Sequence, residues 1–120
     1  MNLLIVDDNS VMRGLVKRIL RAEPALSVVG EAGDGEEAVR LARELGPDVI
    51  LMDLAMPRLD GLQATRQIKA ERPGTRIVIL TVHVEEAYQR AAEESGADAF
   101  LPKKGLEASL LATLRGLVLS

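Results

Sequence analysis

Residues 49–61 read VILMDLAMPRLDG, and this stretch decides the fold. Its first residues are aliphatic without alternation, which is typical of a strand buried on both faces of a parallel sheet. Asp53 ends that run, so we expect its carboxylate in the crevice where open α/β sheets bind ligands. Pro57 favours an extended loop, and Asp60 is expected to cap a helix that Gly61 opens. The alternative, for this stretch alone, is an acid that only caps a turn.

Length and composition favour one domain with an aliphatic core. The chain has 120 residues, of which 48% are hydrophobic but only 2% aromatic, and we expect a single domain over residues 1–120. A net charge of −3 gives no electrostatic reason to expect nucleic acid binding. Cysteine is absent, no apolar run approaches a membrane span, and no signal peptide precedes the first strand pattern. We therefore expect a cytoplasmic protein without a nucleic-acid or membrane partner.

Five strand patterns alternate with five helical patterns along the chain. The predicted strands are Leu3–Val6, Ser27–Ala32, Asp48–Asp53, Arg76–Thr81 and Ala97–Leu101. The predicted helices are Ser10–Ala22, Glu36–Leu45, Gly61–Glu71, Glu85–Glu94 and Leu106–Val118. The helical spacing places Val11, Leu45, Lys69 and Tyr88 among the side chains that face the core. This alternation with short loops predicts a doubly wound α/β domain, with the more polar second strand near an edge.

Polar side chains follow four of the predicted strands at the point where each strand ends. They are Asp7, Asp8, Asp53, Thr81 and Lys103. Each has an ordinary explanation by itself, such as a helix-capping acid pair, a β-branched strand residue or a solvated loop lysine. Because the carboxyl ends of parallel strands lie on one side of a sheet, all of them are expected at one crevice.

Three converging carboxylates require either a compensating cation or raised pKa values. Two carboxylates about 4 Å apart repel by roughly 4 kcal/mol at an effective dielectric constant near 20. A hard divalent ion, Mg²⁺ above all, fits a site with few carboxylates and several waters. A metal, a lysine and a hydroxyl are also what a transferring phosphoryl group requires, and Asp53 would be the nucleophile that accepts it as an acyl phosphate.

The combined motifs resemble one known family. They are Asp7-Asp8, Asp53-x-x-Met56-Pro57-x-x-Asp60-Gly61, Thr81 and Phe100-x-x-Lys103. This set runs through the whole chain and is similar to the response-regulator receiver domain of two-component signalling. The resemblance implies a flavodoxin-like (βα)5 fold with parallel strand order 2-1-3-4-5. The tail around Phe100 and Lys104 is similar to the branch that regulates LuxR-type transcription factors.

The resemblance also implies a function. A phosphoryl group would pass from the phosphohistidine of a sensor histidine kinase, or of a phosphotransfer protein, to Asp53. Mg²⁺ would be held by Asp8, Asp53 and the backbone carbonyl of Ala55, with Asp7 acting through water. Such a chain is a signalling phosphoacceptor that takes part in its own phosphorylation and dephosphorylation, not an enzyme.

A switch is implied in the same way. Thr81 and Lys103 would bind the phosphoryl oxygens, and Phe100 would fill the space that Thr81 leaves as it moves inward. The face formed by the fourth helix, fifth strand and fifth helix would then bind a partner, an output domain or a second copy of the chain. The fourth helix, rich in alanine, is expected to be the weakly anchored element that moves.

The resemblance implies that three positions around the expected site tune the hydrolysis of the phosphoryl group or the access of phosphodonors. Ala55 has no polar group to orient a water, which predicts a long-lived phosphoryl group. Val82 is larger than the usual residue there, which predicts narrowed access for small phosphodonors. His83, the only histidine, is either an exposed loop residue or a group that makes the site pH-sensitive near neutrality.

One class of enzyme and one class of carrier protein share parts of this pattern. The sequence lacks a feature that each of them requires. A phosphohydrolase of the haloacid dehalogenase type would need Asp-x-Asp at the first strand end and a cap domain. A flavin or nucleotide carrier would need Gly-x-Gly-x-x-Gly after the first strand and aromatic residues for stacking. A degenerate receiver that only binds partners is disfavoured because all the polar site groups are present.

Overall fold

A computed structural model describes residues 1–119, in which strands and helices alternate. The strands are β1 (Asn2–Val6), β2 (Ser27–Ala32), β3 (Val49–Asp53), β4 (Arg76–Thr81) and β5 (Ala99–Pro102). The helices are α1 (Ser10–Leu20), α2 (Gly35–Leu45), α3 (Gly61–Glu71), α4 (Glu86–Ser95) and α5 (Leu106–Leu114). A π-helical turn, Arg115–Leu119, follows α5. Ser120, the last residue of the expected domain, lies outside the described residues.

The strands form one parallel sheet in the order β2-β1-β3-β4-β5, which confirms the predicted fold. Every residue of β3 is buried, because this strand lies in the middle of the sheet with helices on both faces. β2 alternates between exposed and half-buried residues until the buried Ala32, and it lies at an edge, as predicted. The register places Val6 beside Met52 and Asp53 beside Leu80. The carboxyl ends of β1, β3 and β4 therefore meet at one edge of the sheet.

Two aliphatic layers cover the two faces of the sheet. Leu4 and Ile50 belong to the layer that packs against α2, α3 and α4. Leu3 and Leu51 belong to the opposite layer, beneath α1 and α5. Successive residues of β1 and β3 thus point to opposite layers, as the two-residue period of a strand requires. This double coverage explains why both strands are aliphatic throughout.

Helical spacing predicted more burial than the structure gives to two aliphatic residues at helix ends. Val11 is 80% exposed and Leu45 is 38% exposed. Val11 lies in the first turn of α1, and that helix buries Val16 and Leu20 instead. Leu45 is the last residue of α2, which ends at Gly46 in the left-handed conformation, and its Cδ1 still lies next to Gly30 of β2. Periodicity alone does not show where the end of a helix stops contacting the core.

α4 is the helix that the structure packs most sparsely with apolar side chains. Only Ala92 and Ser95 of this helix are buried, and Tyr88, predicted to hold the helix, is 40% exposed. Ala87 is exposed as well. The sequence indicated few apolar side chains to anchor α4, and in the structure even fewer of them are buried than predicted.

Several predicted boundaries differ by a few residues. α1 ends at Leu20 rather than Ala22, and α5 gives way after Leu114 to the π-helical turn, which contains the poor helix former Gly116. β5 begins at Ala99 rather than Ala97, because the N–H of Ala97 closes the end of α4 by donating to Ala92.

Lys69 does not face the core as an apolar residue would, but pairs with a half-buried acid. Its Nζ lies 2.8 Å from Asp98 Oδ2, and both side chains are 16% exposed. The same carboxylate accepts the N–H of Ile77 at 2.8 Å and contacts Arg76 Nη1 at 3.4 Å. Asp98 therefore ties α3, β4 and the start of β5 together at the edge of the sheet remote from Asp53.

Replacing Asp98 by asparagine is expected to lower the free energy of unfolding at neutral pH by about 1.5 kcal/mol after solvent screening. Burial by itself raises the pKa of Asp98, but Lys69 and the Ile77 N–H hold it below its ordinary value. The stabilisation is thus present above the unfolded-state pKa and is lost as pH falls through the folded-state pKa. Urea unfolding from neutral to acidic pH measures this dependence.

The control for this experiment is Glu86→Gln, which removes an exposed ion pair with Arg90. This change should alter the free energy of unfolding by no more than about 0.5 kcal/mol. A loss for Asp98→Asn no larger than that of the control, or a loss that persists unchanged in acid, would contradict the account.

Candidate functional site

Asp7 and Asp8 stand where β1 ends, and neither of them caps α1. The N–H of Asp7 continues the β1–β2 ladder by donating to Ala32 at 3.0 Å. The cap is Asn9, whose Oδ1 accepts the N–H groups of Val11 and Met12. The N–H of Asn9 in turn donates to Asp7 Oδ1 at 2.9 Å. The acid pair is therefore left to face the crevice, and its explanation as a helix cap is wrong.

Asp53 is held at the end of β3 by close backbone packing. Its Oδ1 accepts the N–H of Leu54 at 2.9 Å, and Leu54 O accepts the N–H of Gly61 at 2.8 Å. Asp60 caps α3 through the N–H of Gln63, as predicted. A Cβ on Gly61 would overlap the carbonyl oxygen of Asp53. Glycine is therefore needed for α3 to begin directly beside the carboxyl end of β3.

Three carboxylates and one ammonium group meet at this edge of the sheet. One oxygen each of Asp7, Asp8 and Asp53 lies within 4.8 Å of the others. Lys103, from the segment after β5, places Nζ 2.8 Å from Asp7 Oδ2 and 3.3 Å from Asp53 Oδ1. Asp7 and Asp53 are buried, whereas Asp8 is exposed. The structure thus brings these four predicted side chains together.

Negative charge exceeds positive charge in this cluster. Burial, followed by the nearby Asp7 carboxylate, raises the pKa of Asp53, and Lys103 opposes that rise only in part. Burial alone would lower the pKa of Lys103, but the hydrogen bond to Asp7 and the attraction of Asp53 raise it overall. Both shifts have the direction expected where one cation serves several carboxylates. The cluster of acids is therefore able to hold a metal ion, and its all-oxygen ligands suit a hard divalent cation.

Thr81 and Lys103 are joined through their backbones. The N–H of Lys103 donates to Thr81 O at 2.9 Å. Thr81 is buried, and it directly follows Leu80, the residue of β4 that lies beside Asp53 in the sheet. Thr81 Oγ1 accepts the N–H of His83 at 3.0 Å. The threonine hydroxyl predicted to serve the site is thus engaged with the loop that follows β4.

The remaining residues predicted for the site differ in how far they are buried. Phe100 is half-buried beside a cleft of about 90 Å³. Ala55 is exposed, and Val82 is 70% exposed. His83 is half-buried, and its ring centroid lies 5.1 Å from that of Tyr88, so it is not simply a solvated loop residue.

Sequence reasoning did not identify Arg13, which supports the site from α1. Its Nη1 donates to the backbone oxygen of Asp7 at 2.5 Å, and its Nε donates to Glu31 Oε1 at 3.0 Å. Lys17 also pairs with Glu31 at 2.9 Å. Nothing in a single sequence pairs a residue of the first helix with one on the edge strand. Only the side-by-side placement of β1 and β2 brings them together.

A second missed contact holds the loop between β3 and α3. Arg58 has φ of 67°, a left-handed conformation that few residues other than glycine adopt. Its Nη2 lies 2.9 Å from Asp34 Oδ2. Asp34 also caps α2, and the N–H of Glu37 together with Arg58 lowers the pKa of Asp34. The conformation of the loop that carries Ala55 is therefore tied to the start of α2.

None of the described helices is both long enough and apolar enough to cross a membrane. This result agrees with the hydropathy of the sequence.

Comparison with known proteins places these features in one family. The sequence model of the response regulator receiver domain matches residues 3–115. The chain is 41% identical over 112 residues to the transcriptional regulatory protein LiaR of Bacillus subtilis, covering 93% of this chain and 53% of LiaR. It is 48% identical over 105 residues to a protein-glutamate methylesterase of Myxococcus xanthus, covering 86% of this chain and 30% of that protein.

The fold agrees with a solved structure of the same kind. A two-component response regulator of the LuxR family from Aurantimonas sp. superposes with a TM-score of 0.92 at 35% identity, covering 97% of this chain and 83% of that one. The chain spans about half or less of the length of the curated relatives it matches.

These relatives bear on the expectations about a nucleic-acid partner, about enzyme activity and about the family. A transcriptional regulator among them gives no support to the expectation that nucleic acid is never a partner. The match to the methylesterase is confined to 30% of that enzyme, and receiver domains themselves are signalling domains. The motifs, strand order and matched family model agree, and we conclude that the chain belongs to the response regulator receiver domain family, with LuxR-family response regulators among its relatives.

Proposed function

We propose that Asp53 accepts a phosphoryl group from the phosphohistidine of a sensor histidine kinase or a phosphotransfer protein in the cytoplasm. The observation that carries the proposal is the position of Asp53 between Lys103 and two further acids, in a chain of the receiver family.

Mg²⁺ is the metal we propose for the acid cluster. Asp8, Asp53 and the backbone carbonyl of Ala55 would hold it, with Asp7 acting through water. When bound, the ion supplies positive charge to the oxygens of the transferring phosphoryl group. The excess negative charge of the cluster and the oxygen donors support this assignment.

The proposed transfer is a displacement at phosphorus in which Asp53 is the nucleophile. Oδ1 of Asp53 is engaged by Leu54 and Lys103, whereas Oδ2 accepts no hydrogen bond from any of residues 1–119, so we assign the attack to Oδ2. A bond forms between this oxygen and phosphorus as the P–N bond of the phosphohistidine breaks, and its electron pair stays on the imidazole nitrogen. Lys103 offsets the negative charge of the phosphoryl oxygens throughout.

The proposed switch begins at Thr81. A phosphoryl group adds about −1.5 to −2 of charge at neutral pH, which favours donation by the Thr81 hydroxyl to one of its oxygens. Phe100 would then fill the space that the threonine leaves. α4 is the element best suited to move, since so little of it is buried.

The output of this switch is part of the proposal. The face formed by α4, β5 and α5 would bind an output domain or a second copy of the chain. Because the relatives are longer than this chain, an attached DNA-binding domain is one form that the output would take.

Incubation with Mg²⁺ and a phosphorylated sensor kinase, followed by intact mass measurement, tests the proposal. The wild type should gain one phosphoryl group, and Asp53→Asn should gain none. Asp48→Asn, a change of the same kind at the opposite edge of the sheet, is the control and should match the wild type. Gain of a phosphoryl group by Asp53→Asn, or an undiminished gain when Mg²⁺ is chelated, would refute the assignment.

Ala55→Asn is expected to shorten the lifetime of the phosphoryl group by about tenfold, because an amide placed there can orient a water toward phosphorus. Decay of the phosphorylated mass with time provides the measurement. Ala70→Asn, on the exposed side of α3, is the control and should leave the lifetime unchanged. Rapid decay of the wild-type phosphoryl group, little altered by Ala55→Asn, would argue against this role for Ala55.

The roles of Val82 and His83 in access and hydrolysis remain predictions. Val82 is proposed to narrow the access of small phosphodonors, although most of its side chain lies in solvent. His83 is proposed to tune the hydrolysis of the phosphoryl group from its place beside Thr81.

A further inference from the structure

Three exposed apolar side chains lie close together in the chain between β4 and the first turns of α4. Val82 is 70% exposed, Val84 48% and Tyr88 40%. We call these three residues the β4–α4 patch. The other large exposed apolar residues in the described part of the chain are spread over its first 45 positions. Apolar exposure concentrated in residues 82–88, rather than scattered singly along the chain, favours an interaction site there.

A cleft of about 170 Å³ adjoins this patch. The residues that line it come from the loop after β3, the start of α3, and the β4–α4 segment. They are Leu54, Ala55, Asp60, Leu62, His83 and Tyr88. The rings of His83 and Tyr88 lie 5.1 Å apart with an angle of 34° between their planes. The cleft thus combines aliphatic surface, two aromatic rings and one carboxylate.

The charge at this cleft is negative. Asp60 Oδ1 accepts the N–H of Gln63 at 2.9 Å, and no residue among 1–119 donates to its Oδ2. Glu85 is exposed on the segment that carries the patch, whereas Glu86 is paired with Arg90 at 2.9 Å. No lysine or arginine lines the cleft. A cation entering it would be attracted by the carboxylate and by the face of the tyrosine ring.

We propose that this cleft binds a lysine or arginine side chain that a partner protein presents next to an apolar residue. The cationic head would lie between Asp60 and Tyr88, and its aliphatic stem would cover Leu62. The neighbouring apolar residue would cover Val84. The cleft has room for about one side chain, and the apolar surface outside it favours a protein partner over a free amine.

The cleft is joined to the phosphorylation site on two sides. Leu54, which lines it, donates its N–H to Asp53 Oδ1 at 2.9 Å. His83 lines the cleft, and its N–H donates to Thr81 Oγ1. If Thr81 turns toward a phosphoryl group on Asp53, this bond breaks and the ring of His83 is released. This coupling rests on the proposed function, whereas the cleft and its preference for a cation do not.

Titration with N-butylguanidinium, a mimic of the arginine side chain, tests the cleft by backbone amide NMR of the whole chain. Saturable shifts are expected at residues 60–62 and 83–88. Binding should be about fivefold tighter than that of n-pentanol, which has a similar shape but no charge. Asp60→Asn, which keeps the helix cap, and Tyr88→Ala should each weaken guanidinium binding about threefold to fivefold. Asp48→Asn serves as a charge control and should not change it.

Several results would overturn the proposal. Equal binding of pentanol would indicate an apolar site without charge preference. Shifts outside the cleft, or binding unaffected by both variants, would exclude these residues as the site. Self-association detected by light scattering and abolished by Val84→Ser would assign the patch to a second copy of the chain.

The same titration with Mg²⁺ and beryllofluoride, a phosphoryl mimic, tests the coupling. We expect the guanidinium affinity to change by at least about threefold when beryllofluoride binds. An unchanged affinity with clear beryllofluoride shifts at Asp53 would refute the coupling alone. Absence of any beryllofluoride shift would count against the proposed function, and the first titration would still decide the cleft.

Discussion

Alanine in place of Gly61 is expected to lower the free energy of unfolding by about 3 kcal/mol and to abolish most phosphorylation of Asp53. The added Cβ would overlap the carbonyl oxygen of Asp53 and would lie 3.0 Å from the Cα of Leu54. Because these are backbone atoms, no flexible side chain can move to relieve the overlap. Gly61 is also fixed in place by its own N–H, which donates to Leu54 O at 2.8 Å. Either β3 or α3 must shift, and the Asp53 carboxylate moves with it. Urea unfolding and intact mass after phosphorylation measure the two effects.

The matched control for this change is Gly14→Ala, in the interior of α1. Apart from the backbone of α1 itself, no heavy atom lies within 4 Å of a Cβ built at Gly14, so alanine should stabilise the protein by up to about 1 kcal/mol through its helix propensity. Phosphorylation should be unchanged. A Gly61→Ala protein that is as stable as the wild type and is phosphorylated equally would show that close backbone packing does not position Asp53.

Lys103→Met is expected to slow phosphorylation about a hundredfold and to destabilise the metal-free protein by about 2 kcal/mol. The ammonium group lies 2.8 Å from Asp7 and 3.3 Å from Asp53, so its removal leaves the acid cluster without a cation. The rate is measured by intact mass at fixed Mg²⁺ and kinase, and the stability by urea unfolding in a chelator.

The pH dependence of that loss has a definite sign. Burial and Asp7 raise the pKa of Asp53 in the folded state, so ionised Asp53 destabilises the fold. Stability therefore falls as pH rises from the unfolded-state pKa through the folded-state pKa. Without Lys103 the pKa of Asp53 rises further, and the fall should extend to higher pH. Added Mg²⁺ should restore much of the lost stability.

Lys104→Met provides the control, because Lys104 is exposed and forms no ion pair with any residue in the described chain. Its stability and rate of phosphorylation should match those of the wild type. If Lys103→Met and Lys104→Met behave alike, Lys103 is not the cation that serves the acid cluster.

The sheet and the positions of the acids were predictable because they depend on patterns within single strands. An aliphatic run of strand length with an acid at its end, as in residues 49–53, indicates both a buried parallel strand and the edge where its acid lies. The motif that ends at Asp60 and Gly61 likewise predicted a helix start, and both residues act as expected.

Features that depend on two distant elements were not predictable in the same way. The exposure of Val11 and Tyr88 follows from where α1 and α4 lie on the sheet, which helical periodicity does not contain. The support of Asp7 by Arg13 requires the pairing of β1 with β2 to bring Glu31 alongside α1. Arg58 in the left-handed conformation carries no sequence signal, since glycine or asparagine is the usual residue there.

The central claim is that the Asp53 side chain carries the phosphoryl group as an acyl phosphate. Borohydride reduces such a group to an alcohol, so aspartate at that position becomes homoserine and can be located by peptide mass sequencing. After phosphorylation in Mg²⁺, the account predicts homoserine at position 53 and at no other acid. Homoserine at Asp7 or Asp8, or a phosphoryl group that resists borohydride and stays on a hydroxyl or imidazole side chain, would contradict it.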